Sequence, residues 1–267
     1  MTPAEVTDAE VERFRAELER SLSRLEGYLR EQLRLRAKGE KISVFSAEVA
    51  RQTLDRLLAD YERMFGRASD AVRAISGRVL AAVGDELEGL GISAATTQAS
   101  QTTLLLQLGR GLDDLETLRT NAGTSLREVV TESLRTSVNP REAFDRLAGE
   151  LGKTAAQVVS LVDTTTMGVD RVAVVEQSLG AGIELFLFDG PLDGLTRPWC
   201  AERVGKTFTR AEMDEVLNDT GPQPPSAYGG GWNCRHRFVP VDPLDAAQYP
   251  RWQGRALPGA DAARLPA

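Results

Sequence analysis

The residues able to do chemistry crowd into two short runs, Asp193-Gly194-Leu195-Thr196-Arg197-Pro198-Trp199-Cys200 and Gly229-Gly230-Gly231-Trp232-Asn233-Cys234-Arg235-His236. Together they hold both cysteines, the only histidine and two of the three tryptophans of the chain. Cys234 and His236 stand at i and i+2, so on an extended strand both point to one face. With Cys200 and Asp193 they would form a mixed S, N and O set of the kind zinc accepts. Against that, neither cysteine belongs to a Cys-x-x-Cys knuckle. The plainest alternative is a pair of buried thiols. A Cys200–Cys234 disulfide is a third use of the two sulfurs, favoured in an oxidised particle and disfavoured in a reducing cytoplasm.

Catalytic readings are weaker. Cys200 or Cys234 with His236 as base would need an orienting group and an oxyanion site, and neither has a signature here. A single histidine excludes two-histidine acid–base schemes and two-histidine metal sites. A metal-independent nuclease or transferase-like enzyme could use Arg197, Arg235 and His236, with Arg237 and Asp193 nearby. Residues on alternating faces of one strand, however, cannot all meet one phosphate. Gly229 to Gly231 do not make a phosphate loop, because no helix start and no Lys-Ser/Thr pair follows.

The reading that uses all of these residue types is a structural clasp of Asp193, Thr196, Arg197, Cys200, Trp232, Asn233, Cys234, Arg235 and His236. A bidentate Asp193–Arg197 pair and a Thr196 hydroxyl bond to backbone would knit the first loop. The glycines would permit positive φ or close backbone approach, with Trp232 filling the space beside them.

The elements that must position these loops are mostly helical. Val11, Phe14, Leu18, Leu22, Leu25, Leu29 and Leu33 form one stripe over Ala4 to Ala37, suited to a coiled-coil-like seam or to packing within the chain. Ser46 is expected to cap a second helix to Phe65, and a third runs from Ser69 to Leu90. The run from Thr96 to Leu108 reads equally as helix or as an extended arm. Helix returns at Ser125. Asn139-Pro140 opens a short helix to Leu151, and Thr154 with Gln157 fits a capping box for another that Gly180-Ala181-Gly182 closes near Leu179. Ile183 to Phe188 and Arg237 to Val241 read as strands, with a small acidic helix near Arg210 to Leu217. Gly221 to Pro225 reads as extended chain. The fold class is therefore mainly α: a long helical body over residues 1–150, a small α+β module over 151–243, and a loosely ordered tail over 244–267.

Composition narrows the partners. Hydrophobic and charged contents of 42% and 27% suit a soluble globular protein, and only 6% aromatic residues suits helix packing. The net charge of -7 makes DNA contact weak at most, with Arg235-His236-Arg237 the best basic patch. No apolar run is long enough to span a membrane. The acidic, polar N-terminus lacks the features of a secretory signal, which points to a cytoplasmic site of synthesis.

Six elements, in order, resemble the phage Mu F-like head morphogenesis proteins, the minor head or minor capsid proteins of tailed phages. They are Ala181-Gly182-Ile183, Phe186-Leu187-Phe188, Asp193 to Cys200, Gly205-Lys206-Thr207-Phe208, Gly231 to His236, and Val239-Pro240-Val241. The similarity spans about residues 155 to 243. His236 stands where many relatives have cysteine, and Asp163 to Thr166 stand where an Arg-x-Glu-type run is usual. The resemblance implies a non-enzymatic protein without a required cofactor. It would reside in the virion, at the portal vertex or inner capsid wall, after assembly in the host cytoplasm. Its partners would be the portal protein, the major capsid protein, or further copies of itself through the N-terminal helices. Its work would be head morphogenesis, with a possible part in genome packaging or delivery.

Overall fold

The structure is a computed structural model and describes residues 12–16, 19–20, 23–24, 27, 47–92, 98–136, 138–218, 224–242 and 244–252. Long helices dominate it, and one small antiparallel sheet lies toward the C-terminus, the mainly α class with an α+β module. Of the N-terminal helix expected over Ala4 to Ala37, the described residues are helical and the remainder, like the Ser46 cap, lies outside them.

Three expected helix boundaries do not exist. Helix α1 runs unbroken over Ala47–Gly89, where two helices were expected. Its buried stripe continues through Tyr61, Phe65, Ala68, Val72, Ile75, Val79, Val83 and Leu87. Gly66 inside it costs only about 1 kcal/mol relative to alanine, too little to interrupt such a stripe. Helix α2 covers Gln98–Arg135, so the undecided run is helix from Gln98 onward, Thr96 and Thr97 lie outside the described residues, and Ser125 is interior. Leu104 and Gln107 are buried while Leu105 and Leu106 are exposed, a helical period that leaves no extended arm.

Helix α3 spans Pro140–Gly180 as one element. Asn139 caps it, its Oδ1 accepting the Glu142 amide at 2.9 Å. Thr154 opens no new helix. Its hydroxyl donates to the Glu150 carbonyl at 2.9 Å, a bond within the preceding turn. The helix ends on Gly182, at φ 86°, with the Ile183 amide returning to the Ser178 carbonyl at 2.9 Å.

Contacts divide the chain into two compact units, one drawn from Asp8–Ala74 and Arg110–Val162, the other including Ile75–Gly109 and Asp163–Ala267. The first is a helical body with Leu57, Tyr61, Leu115, Leu126, Phe144 and Leu147 in its core. Arg119 bonds Glu62 at 2.6 Å there. The second holds both chemistry-bearing loops, and its range reaches upstream of residue 150.

In that second unit the later part of α3 is buried almost all round from Thr164 to Ser178, as befits a core helix. The sheet has the order β2-β1-β3, from β1 (Leu185–Asp189), β2 (Thr207–Thr209) and β3 (Arg237–Pro240). Phe186 pairs with Phe208, and Phe188 with Phe238. Strand alternation turns Phe186 and Phe188 to the buried side, where they meet Phe208, Phe238, Trp199, Met213 and Trp252. The chain's few aromatics are thus concentrated here, with Phe188 and Phe238 centroids 4.9 Å apart.

Short elements complete the unit. Helix α4 (Pro198–Arg203) carries Trp199 and Cys200 inward. Helix α5 (Arg210–Glu215) starts in a Thr209–Glu212 capping box. Helix α6 (Pro225–Tyr228) begins at Pro225, so that residue is helical rather than extended, while residues 221–223 lie outside the described set. The described part of the tail, residues 244–252, is ordered. A 3-10 turn at Ala246–Gln248 leads to Trp252, which is buried, and its amide donates to the Thr207 carbonyl at 3.0 Å. The Arg203 guanidinium lies over both Trp199 and Trp252, 4.2 and 4.4 Å from their ring centres. An indole that fills the core and meets a cation is reason enough for order; residues 253–267 lie outside the described set.

Candidate functional site

Cys200, from α4, meets Cys234 and His236, from the segment leading into β3. The two sulfurs are 3.8 Å apart, and Cys234 Sγ lies 3.7 Å from His236 Nδ1. All three side chains are buried and both thiols are free. Residues 234–236 precede the strand rather than belonging to it, yet the i, i+2 spacing still delivers the thiol and the imidazole to one side. His236 stacks on Phe188 at 5.4 Å and 15°. Its Nε2 sits 2.9 Å from the Pro191 carbonyl oxygen. Only an N–H can satisfy that carbonyl, so Nε2 carries a proton and Nδ1 is the ring nitrogen that faces the sulfurs.

Glycine makes the space. Gly229 holds φ at 54°, and a Cβ there would stand 2.7 Å from Cys234 Sγ. A Cβ on Gly230 would press into Cys200 Sγ. The Gly230 amide donates to Cys234 Sγ at 3.2 Å. The Cys234 thiol is drawn below the ordinary thiol range, first by its hydrogen bond with Cys200 and then by His236, Arg171 and that amide, against the opposing effect of burial. Cys200 moves the other way, through the same bond to Cys234 and through burial.

The expected Asp193–Arg197 pair does not form. Asp193 is held by Arg235 in a bidentate pair, at 2.6 and 2.8 Å. Arg197 instead donates to the Trp232 carbonyl at 2.5 Å. Both arginines thus tie the first loop to the second, and the planar fork matches the nearest carboxylate in space rather than in sequence. Arg235 holds Asp193 well below the usual carboxylate range, helped by the Leu195 amide. Thr196 knits its own loop, its hydroxyl donating to the Pro191 carbonyl at 2.8 Å and accepting the Asp193 amide at 2.9 Å. With its oxygens occupied, Asp193 does not join the Cys200, Cys234 and His236 group.

Trp232 does not fill the glycine space; it is 37% exposed. Trp199 takes that place, its ring 3.3 Å from where a Gly230 Cβ would sit and its Nε1 donating to the Leu217 carbonyl at 2.8 Å. Asn233 adopts φ 53°, and its amide donates to Thr164 Oγ1 of α3 at 3.2 Å. The polar Asp163 to Thr166 run therefore has a contact with the second loop.

The side chain at the centre is not among the residues expected at the site. Arg171 of α3 is buried, and its guanidinium donates to the carbonyls of His236 at 2.7 Å, Ala227 at 3.1 Å, and Cys234. Its neighbour Asp170 is also buried, and neither carboxylate oxygen has a hydrogen-bond partner among the described residues. Burial pushes Asp170 up to about 6, partly offset by Arg237 and Arg171. A signal existed: an Asp-Arg pair embedded in Met167-Gly168-Val169 and Val172-Ala173-Val174-Val175 belongs to a helix with no solvent face.

Arg197, Arg235 and His236, the residues of the nuclease or transferase alternative, are engaged with Trp232, Asp193 and Pro191. Among the described residues, no helix is long and apolar enough to cross a membrane. Comparison with protein-family models, with curated proteins and with solved structures finds no match to this chain.

Proposed function

We propose that the chain is a minor head protein of a tailed phage, a structural and interaction component that acts at the portal or the inner capsid wall during head assembly. The observation that carries this reading is how the motif residues are used. Asp193 and Arg235 hold each other, Arg197 holds the backbone of the second loop, and His236 lies buried beside two sulfurs. Groups committed to one another in this way serve shape, and shape is what a docking module offers a partner. The six-element resemblance supplies the class of particle. The N-terminal apolar stripe of the sequence, Val11 to Leu33, is suited to helix-to-groove docking on a portal or capsid surface, or on another copy. A net charge of -7 suits protein contact better than wrapping DNA.

Truncation tests the reading. A protein lacking residues 1–40, supplied to a phage whose own copy is deleted, is expected to keep a folded C-terminal module and to be depleted from purified heads. Full incorporation of the truncated protein, or absence of the intact protein from heads, contradicts it.

A further inference from the structure

We infer that Cys200, Cys234 and His236 form a zinc site that bolts α4 to the segment entering β3. Two of the three donor separations fit before any ion is placed. Tetrahedral zinc with Zn–S bonds of about 2.3 Å sets two sulfurs about 3.8 Å apart, and with a Zn–N bond of about 2.0 Å sets sulfur and nitrogen about 3.5 Å apart. The observed separations are 3.8 Å for the two sulfurs and 3.7 Å for Cys234 Sγ to His236 Nδ1, and all three donor atoms fall within 4.8 Å of one another.

The surroundings are those of a metal site. The Pro191 carbonyl accepts a hydrogen bond from the Nε2–H, which orients the ring and leaves Nδ1 as the nitrogen able to ligate. The Gly230 amide donates to Cys234 Sγ, a bond that stabilises a metal-bound thiolate. Two buried thiolates would carry a charge the interior cannot tolerate alone, and a divalent cation cancels it. Glycine at 229 and 230 keeps backbone tight against both sulfurs where any side chain would displace them. Binding replaces each S–H by an S–Zn bond and releases both protons to solvent. No fourth Cys, His, Asp or Glu joins the group among the described residues. The ion links residues 34 positions apart, closing a loop much as a disulfide would. The site is independent of the head-protein reading, since its readouts are metal and thiol measurements on purified protein.

The test uses full-length protein without a histidine tag, grown with added zinc and purified under reducing conditions. Elemental analysis is expected to find one zinc per chain. Cobalt added to chelator-stripped protein is expected to give the visible bands of tetrahedral coordination and a near-ultraviolet thiolate-to-cobalt band. Cys200→Ser, Cys234→Ser and His236→Ala should each weaken zinc binding at least tenfold in competition with a chromophoric chelator. If a variant fails to fold, the wild-type competition titration and the melting temperature before and after chelation still decide. Folded wild-type protein with no retained zinc, no cobalt bands and two freely titrating thiols would overturn the proposal. So would a Cys200–Cys234 disulfide in a peptide map of alkylated, freshly lysed cells.

Discussion

Arg171 Nε donates to the carbonyl oxygen of His236 across 2.7 Å, joining residues 65 positions apart. The other two nitrogens of the same guanidinium bind the carbonyls of Ala227 and Cys234. One helical side chain thus satisfies three carbonyls of the loop that carries Cys234 and His236. Lysine has one nitrogen in place of three, so it cannot span all three carbonyls and leaves buried acceptors empty. Arg171→Lys is expected to lower stability by about 3 kcal/mol. Urea unfolding checks this, and a change within experimental scatter would contradict the role.

Gly230 tests how tightly the sulfurs are packed. Gly230→Ala places a Cβ against Cys200 Sγ and 3.3 Å from the Trp199 ring. Overpacking of this kind is expected to cost about 2 kcal/mol. Cys200→Ala removes the atom in the way, so the double variant should lose less than the sum of the single changes. Strict additivity in thermal or urea unfolding would place the strain elsewhere.

Asp170 should leave a signature in pH. Burial raises it to about 6 in the fold against an ordinary value of 3.8, so the folded chain binds the proton more tightly. Its stabilising contribution is complete below the unfolded value and fades as pH rises through the folded one. The stability difference between wild type and Asp170→Asn is therefore expected to move against wild type between about pH 4 and 6. Parallel melting profiles across that window would contradict the assignment.

Much of the module was legible in the sequence because its signals are local. Short apolar and aromatic runs marked β1 and β3, Asn139-Pro140 marked the start of α3, and the i, i+2 spacing placed Cys234 beside His236. Errors arose where the decision belongs to tertiary packing. Thr154 and Gln157 imitate a capping box, but burial of α3 carries the helix straight through them. Asp193 was assigned the wrong arginine because loop sequence does not reveal which guanidinium folding delivers to it. Trp199 takes the place expected of Trp232 for the same reason: both have a ring able to fill the space, and only the path of the chain selects one. Arg171 carried a readable signal, a charge in an apolar helix, whose partners become visible only when the loop folds over it.

The Asp193–Arg235 pair should matter far less than its bidentate geometry suggests. Both side chains are 43% exposed, and water and salt screen such pairs. Arg235→Ala is expected to leave the fold intact and shift the melting temperature only slightly, with the difference shrinking further in high salt. A collapse comparable to that of Arg171→Lys would show that the pair anchors the loops.

The account rests on the two loops and the sheet forming one interlocked body. Amide hydrogen exchange at Gly230, whose N–H donates to Cys234 Sγ at 3.2 Å, can be compared with exchange at Phe188, whose N–H bonds the Lys206 carbonyl at 2.9 Å. If the body opens as a unit, both amides should show the same protection and lose it together as denaturant is added. Rapid exchange at Gly230 while Phe188 stays protected would mean that the second loop opens on its own, and the interlocked arrangement would be wrong.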